Sequence, residues 1–500
     1  MFVCVCVCVC VCVLVWVCVW VLVWVYFVFM GHYTSWLIAP AVIGLPLQLV
    51  VFALNDYNAP FLPFFSFFIV IWAIFMLEFW KRKEVTTSLE WGTLGFEQNE
   101  HDRPDFRGEK IVSFVDGKDL VFYPSTKRNF FVSVSMLAVF ALCCVVVGAV
   151  VSIYLVRYQL TKSKDAQVKN NAGTVASILN AVQIQVANAI YSFIANALSE
   201  QENHRTATQF EDSMITKIFL FQFINSYASF FYLAFIAQHM VPNDCKSIGD
   251  DGNCMINLAY NLGIILGSRL VSGNLVELLV PYLSFQFQYL KEVQSYGGKM
   301  NRPEKEFLLT PYDTSSSVLE DYAEVAIQFG YQALFVAALP MASAFALVSN
   351  FVEIKGDAWK LLTLHQRPVP LTAEDIGSWQ DIFLLISIAA VLTNAGITVF
   401  TMSTLDNWST QNRYWTFILF TWVCFLTQAV VMAAIPDIPE SIELHQARAE
   451  FLQSKIIDKV EDDSIVGLEG RQFRLEIEEY PDRGGNYAAP TLNLITQNMT

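Results

Sequence analysis

Glu277, Asp321, Glu324, Glu353 and Asp357 stand in or beside otherwise apolar stretches in the second half of the chain. A central Asp in a membrane helix costs roughly 2.5 to 3.5 kcal/mol on insertion scales, so five such acids need a compensating partner. The simplest partner is a hard divalent cation. With no His or Cys nearby, an oxygen-only shell suits Ca²⁺ or Mg²⁺ and disfavours Zn²⁺ or Cu²⁺. Carboxylates from separate helices, in flexible geometry, favour Ca²⁺, since Mg²⁺ usually keeps several waters and a phosphate partner. Asp321 and Glu324 are spaced i,i+3 and Glu353 and Asp357 i,i+4, so each pair shares a helix face. Asn274, one turn before Glu277, and Ser349 and Asn350, one turn before Glu353, add neutral oxygens. The bland alternative puts these acids at helix ends, facing headgroup water or paired with Lys355 and Lys360.

The elements that must position these residues are membrane helices. Of 500 residues, 55% are hydrophobic and 15% charged, with 40 Phe, and the mean hydropathy is +0.43, which describes an all-α polytopic membrane protein. A net charge of −15 offers no basic patch to displace counterions from nucleic acid. Apolar windows of spanning length, roughly 20 residues, lie near 35–53, 61–80, 130–156, 174–198, 217–240, 256–281, 382–403 and 413–435. The uncharged run from Val325 to Val352 is one long helix or a hairpin turning near Leu339-Pro340. A hairpin brings Asp321, Glu324, Glu353 and Asp357 to one membrane face; a single helix separates them.

Positive charge orients the chain. The loop from Lys81 to Arg128 is rich in Lys and Arg and reads as cytosolic. Counting from it places Cys245 and Cys254 in an outer loop, where a disulfide is possible. With the hairpin, the sequon Asn407-Trp408-Ser409 also falls outside, a glycosylation candidate at Asn407. The basic loop Arg157 to Lys169 dissents from this count. On the same topology all five acids lie at one depth, near the cytosolic face. Cys143, Cys144 and Cys424 read as packing residues. Residues 1–31 form a low-complexity Val/Cys run of the kind a TG repeat encodes; the run is assigned no function and is expected to be a gene-model artefact. Residues 32–436 are expected to form the membrane domain, and 437–500 a cytosolic acidic tail with a short amphipathic helix at Glu443–Val460.

The segments KIFLFQFINSYASFFYLAF (217–235), NLVELLVPYL (274–283), EDYAEVAIQFGYQALFVAALP (320–340), ALVSNFVEIKGDAWKL (346–361), RPVPLTAEDIGSWQDI (367–382) and LEFWKR (77–82) resemble the anoctamin family of Ca²⁺-activated chloride channels and lipid scramblases. The resemblance covers about residues 33–450. It implies ten transmembrane helices in a homodimer, with a pore or furrow in each subunit, and favours the hairpin of helices seven and eight. It also implies two Ca²⁺ ions per subunit between the sixth, seventh and eighth helices, held by Glu277, Asp321, Glu324, Glu353 and Asp357. The chain departs from the family in places. Gly273 aligns with the family's Asn, with Asn274 adjacent; Asp321 replaces a usual Glu; Ser268 stands where a Lys is frequent. The family's large cytosolic N-terminal domain gives way to the Val/Cys run.

Gly267 and Gly273 bracket the middle of the sixth span and are hinge candidates, since they lack the Cβ that resists a bend; close helix packing is the alternative. In the fourth span Ser177, Gln185, Asn188, Ser192, Asn196 and Ser199 fall within an arc of about 100°, extended by Asn180 and Tyr191, with Gln183 off the stripe. Such a stripe lines protein or water, not hydrocarbon. It fits a furrow between helices 4 to 6 that passes phospholipid headgroups or small anions, with Arg269 and Lys217 favouring anions. The expected function is Ca²⁺-activated scrambling or anion conduction, in the plasma membrane or an endomembrane. A cation- or proton-coupled secondary transporter, or a tether using the acidic tail, are the rivals. No Gly-x-Ser-x-Gly, His-Glu-x-x-His or Walker-type loop suggests an enzyme.

Overall fold

The computed structural model describes residues 21–97, 100–112, 117, 119–162, 165–237, 254–296, 300–369, 371–457, 473–477 and 492–496. The first span, α1 (Val21–Leu54), begins ten residues before the expected boundary at residue 31. Val23, Val25, Tyr26, Phe29 and Met30 of the Val-rich run are buried. Next come α2 (Leu62–Trp91) and a two-stranded hairpin, β1 (Glu109–Val112) with β2 (Asp119–Phe122), which the helical periodicity did not announce. Three spans follow: α3 (Ser125–Thr161), α4 (Ala166–Gln201) and α5 (Ala207–Phe231), the last continued by a π-helical turn at Tyr232–Ile236. The sixth span is α6 (Met255–Ser268), a π-helical turn (Arg269–Gly273) and α7 (Asn274–Tyr296).

After the short α8 (Arg302–Phe307) the ambiguous stretch forms the hairpin, α9 (Thr314–Phe335) and α10 (Ala342–Thr363). The turn closes with Ala338 N–H donating to Phe335 O at 3.0 Å and Ala342 N–H to Leu339 O at 2.9 Å. Gly44 of α1 permits this turn to sit against it, since a Cβ there would collide with the Pro340 carbonyl. At the opposite end Thr310 and His365 pair as a parallel bridge, so both ends of the hairpin are tied. The last spans are α11 (Trp379–Gly396), with a π turn at Ile397–Thr401, and α12 (Thr410–Ala434).

Local sequence sets the boundaries. Pro63 sits in the first turn of α2, and Gly92, at φ 67°, ends the helix in the left-handed conformation. Asp165, Thr206 and Ser409 cap α4, α5 and α12 by accepting from backbone N–H groups. Among the described residues, eight segments are long and apolar enough to cross a membrane. With α9 and α10, of 22 residues each, the described residues form an all-α polytopic architecture with ten spanning segments. α9 is buried on every side from Val325 onward and packs on α1, α2, α5, α10 and α11. A central helix of this kind needs no polar face.

The chain divides into two units at Pro439/Glu440. The second unit contains α13 (Glu440–Ile456) and the antiparallel pair β3 (Phe473–Ile477) and β4 (Leu492–Thr496).

Candidate functional site

The hairpin places Asp321 and Glu324 at the N-terminal end of α9 beside Glu353 and Asp357 at the C-terminal end of α10. Glu277, in the first turn of α7, meets them. One carboxylate oxygen each from Glu277, Asp321 and Asp357 lie within 4.8 Å of one another, a grouping suited to a metal ion. Glu324 and Glu353 do not join that trio. They line an adjoining cavity of about 50 Å³ with Glu277, Gln328, Ser349, Arg269, Gly273 and Gln185. The five acids thus form two groups that share Glu277.

Lys360, one turn past Asp357, ion-pairs with Glu277 and lies 3.2 Å from Asp357 Oδ1 and 3.8 Å from Asp321 Oδ1. Lys355 stays out of the site: it is exposed, with Nζ 4.3 Å from the centroid of the Phe351 ring. Tyr26 reaches across from α1 and donates to Asp357 Oδ2 at 2.9 Å. Tyr26 lies in the run to which the sequence assigns no function, and only its contact with a residue 331 positions away gives it a role.

The donor set suits a hard cation. Asn350 is fully buried; its amide N–H donates to Thr34 Oγ1 at 3.3 Å, while its Oδ1 has no hydrogen-bond partner. Gln328 Oε1 is likewise buried and unpartnered, and Gln328 lines the cavity one turn after Glu324. Buried acceptors are rarely left unsatisfied. Oxygen acceptors without donors, beside carboxylates, match the chemistry of Ca²⁺. The i,i+4 spacing from Glu324 was the available signal for Gln328. The side chain of Asn274 is outside the description; its backbone opens α7.

Gly267 is the last residue but one of α6 and Gly273 ends the π-helical turn, so the two glycines bracket that turn in the sixth span. A Cβ at either would meet nothing within 4 Å, so close packing does not explain them. Arg269 on that turn donates to the Glu324 carbonyl at 3.2 Å and sits 5.7 Å from the Tyr331 ring centroid.

The α4 stripe is used in several ways. Gln185 lines the acid cavity, and Ser177 lines a second cavity of about 220 Å³ with Arg157, Tyr154, Asn257 and Tyr260. Asn196 is exposed, and Ser192 donates to Glu320 Oε1 at 2.8 Å. Asn188 faces α5, accepting from Asn225 Nδ2 at 2.7 Å. The off-stripe Gln183 donates to the same Asn225 at 2.7 Å, so it is no stray. Ser199 lines protein, and Lys217 is not the free anion-favouring charge expected of it. Both are buried, and Lys217 donates to Ser199 Oγ at 3.2 Å and pairs with Glu202 at 2.8 Å, which spends its charge inside the protein rather than on passing anions.

Arg157 explains part of the dissenting basic loop: it is buried beside Tyr154, not presented as loop charge. Cys245 lies outside the described residues. Cys254 is buried and disulfide-bonded, whereas Cys143, Cys144 and Cys424 are free. Asn407 is exposed in the turn before α12, and Ser409 of its sequon caps that helix.

The family model described as "Anoctamin: Calcium-activated chloride channel" matches residues 21–449. The mouse (Mus musculus) protein Anoctamin-7 is 28% identical over 563 residues, covering 89% of this chain and 65% of its own length. Human (Homo sapiens) Anoctamin-10 is 28% identical over 489 residues, covering 93% of this chain and 68% of its own. Mouse Anoctamin-4 is 32% identical over 370 residues, which is 68% of this chain and 38% of that protein. The chain therefore spans a little under two thirds of the Anoctamin-7 length.

Proposed function

This chain belongs to the anoctamin family and is an integral multi-pass membrane protein, and on that premise we propose that it carries out Ca²⁺-activated membrane transport. The transported species are phospholipid headgroups, with small anions accompanying them, along a furrow walled by α4, α5 and α6. The working unit is a homodimer with one furrow per subunit. The observation that carries this reading is the convergence of Glu277, Asp321 and Asp357, from three helices, within 4.8 Å.

Glu277, Asp321 and Asp357 would hold one ion, and Glu277, Glu324 and Glu353, with Gln328 and Asn350 as neutral oxygens, are the residues for a second. Bound Ca²⁺ supplies the positive charge that offsets the mutual repulsion of these acids. Two carboxylates at such separations repel by about 3 kcal/mol at an effective dielectric near 20. Glu277 alone rides on the sixth span, so that repulsion is the force that displaces α7 from the α9–α10 hairpin. The glycines at 267 and 273 give the span a place to yield. The hairpin, tied at both ends, provides the fixed half of the site. Gln185 on α4 and Gly273 on the sixth span both line the acid cavity, so a shift of the sixth span alters the furrow wall directly.

The polar residues of α4 favour headgroups over a dedicated anion filter, because Lys217 is consumed by Glu202 and Arg269 is held by α9. Reconstitution with Ca²⁺ titration, reading labelled-lipid flip and chloride efflux in the same vesicles, tests the proposal. Glu324→Gln and Glu353→Gln each remove a charged ligand and should shift half-activation about tenfold or more to higher Ca²⁺, as a loss of about 1.4 kcal/mol would. An unchanged dose response in both variants would sink the assignment.

A further inference from the structure

Lys360 is placed differently from a surface counter-ion. Its Nζ reaches one oxygen from each of three helices, pairing with Glu277 on α7, with Asp321 on α9 at 3.8 Å and with Asp357 on α10 at 3.2 Å. These are the same three side chains whose oxygens cluster at metal-binding separation. The lysine is 7% exposed, so solvent screens it little. On Asp357, Tyr26 takes Oδ2 while Lys360 takes Oδ1, which leaves that carboxylate fully engaged by the protein's own donors.

We propose that Lys360 is a tethered cation of the acid site, offsetting part of the charge of Glu277, Asp321 and Asp357 when no divalent ion is bound and opposing its binding, so that it sets the Ca²⁺ sensitivity. This rests on the reading that these acids bind Ca²⁺. The argument is electrostatic and does not depend on where the side chain goes. If the ammonium stays, its charge repels a second cation at a few ångströms. If it withdraws on its flexible four-carbon stem, the ion must first replace three ion pairs. Either way the dication binds more weakly than five carboxylates alone would allow. In exchange, one positive charge offsets part of the three acids' repulsion without the ion, and the uncompensated remainder still acts on the sixth span.

An ordinary structural salt bridge makes a different prediction, since its removal disorders the site and weakens both stability and ion binding. Lys360→Met keeps the length and apolar stem but removes the charge, and Lys360→Arg keeps the charge. Full-length protein in detergent would be examined by calorimetric Ca²⁺ titration and by melting in chelator. Lys360→Met should melt lower in chelator yet bind Ca²⁺ about tenfold or more tighter, while Lys360→Arg stays within about threefold of the parent. Equal or weaker Ca²⁺ binding by Lys360→Met overturns the proposal. Should that variant fold only with Ca²⁺ present, the rise in melting temperature on adding Ca²⁺ decides: a larger rise than the parent's supports the tethered cation, and an equal or smaller one overturns it. If the parent protein itself takes up no Ca²⁺, the Ca²⁺ reading fails and this inference falls with it. If the parent binds and Lys360→Met does not bind more tightly, only this inference fails.

Discussion

Glu202 shows how a single carboxylate can anchor a membrane protein without serving transport. Its side chain is fully buried where α4 meets α5, accepting from His204 at 2.8 Å, Lys217 at 2.8 Å and Ser213 at 2.7 Å. Burial alone would raise its pKa, but the bonds from His204, Lys217 and Ser213 outweigh it and hold the carboxyl down at about 2. A lowered folded pKa means that stability is fully present above the ordinary value near 4.5 and is lost as pH falls from there towards 2. The shift corresponds to about 3 kcal/mol. Glu202→Gln should therefore flatten the acid limb of a melting-temperature profile between about pH 4.5 and 2. At neutral pH it should destabilise by about 3 to 5 kcal/mol, because Lys217 is left buried and unpaired. Adding Lys217→Met should recover part of that loss; a double variant no more stable than Glu202→Gln would show that the pair is not the unit. At this scale the five acids were legible because a charge in an apolar window has a large energetic cost. Lys360 was legible as a pairing partner and Gln328 only through its i,i+4 spacing from Glu324, whereas Tyr26 was not legible, because nothing in its local sequence distinguishes it from a packing residue.

Among elements, the glycines separate into two kinds that sequence alone cannot tell apart. Gly267 and Gly273 face open space, whereas a Cβ at Gly330 on α9 would strike the Tyr227 ring, whose hydroxyl donates to Ile327 O at 2.7 Å. Gly330→Ala should cost about 1 to 3 kcal/mol by overpacking, visible as a lower melting temperature. Gly267→Ala and Gly273→Ala should instead leave melting unchanged or slightly raised, as Ala favours helix by about 1 kcal/mol. By disfavouring the yielded form of the sixth span they should also lower the Ca²⁺ needed for half-activation, by about fivefold at most. Unaltered activation in both variants would remove the hinge assignment. The α9–α10 hairpin itself was ambiguous from hydropathy, because a long uncharged run reads the same whether straight or folded back. Packing resolves it: Gly44 accommodates the turn, and the Thr310–His365 bridge closes the far end.

For the molecule as a whole, the membrane unit and the unit beginning at Glu440 are distinct. Deleting residues 440–500 should leave Ca²⁺-dependent lipid flip and its half-activation within about twofold of the parent, a difference of about 0.4 kcal/mol. Abolished transport would assign the tail an active part in it. The span count was legible because a bilayer demands about 20 apolar residues per crossing, and the small β hairpins were not, because four- and five-residue strands carry too little pattern. The π-helical turn at Arg269–Gly273 has one further consequence. Such a turn holds one residue more than α-helical pitch requires. Returning it to α geometry would rotate everything that follows by about 100° and advance it by about 1.5 Å. Glu277 lies four residues beyond the turn, so its carboxylate either faces the hairpin or points a quarter-turn away. A helix that adjusts by whole residues would respond in steps, which would give the acid site two settings and no stable position between them.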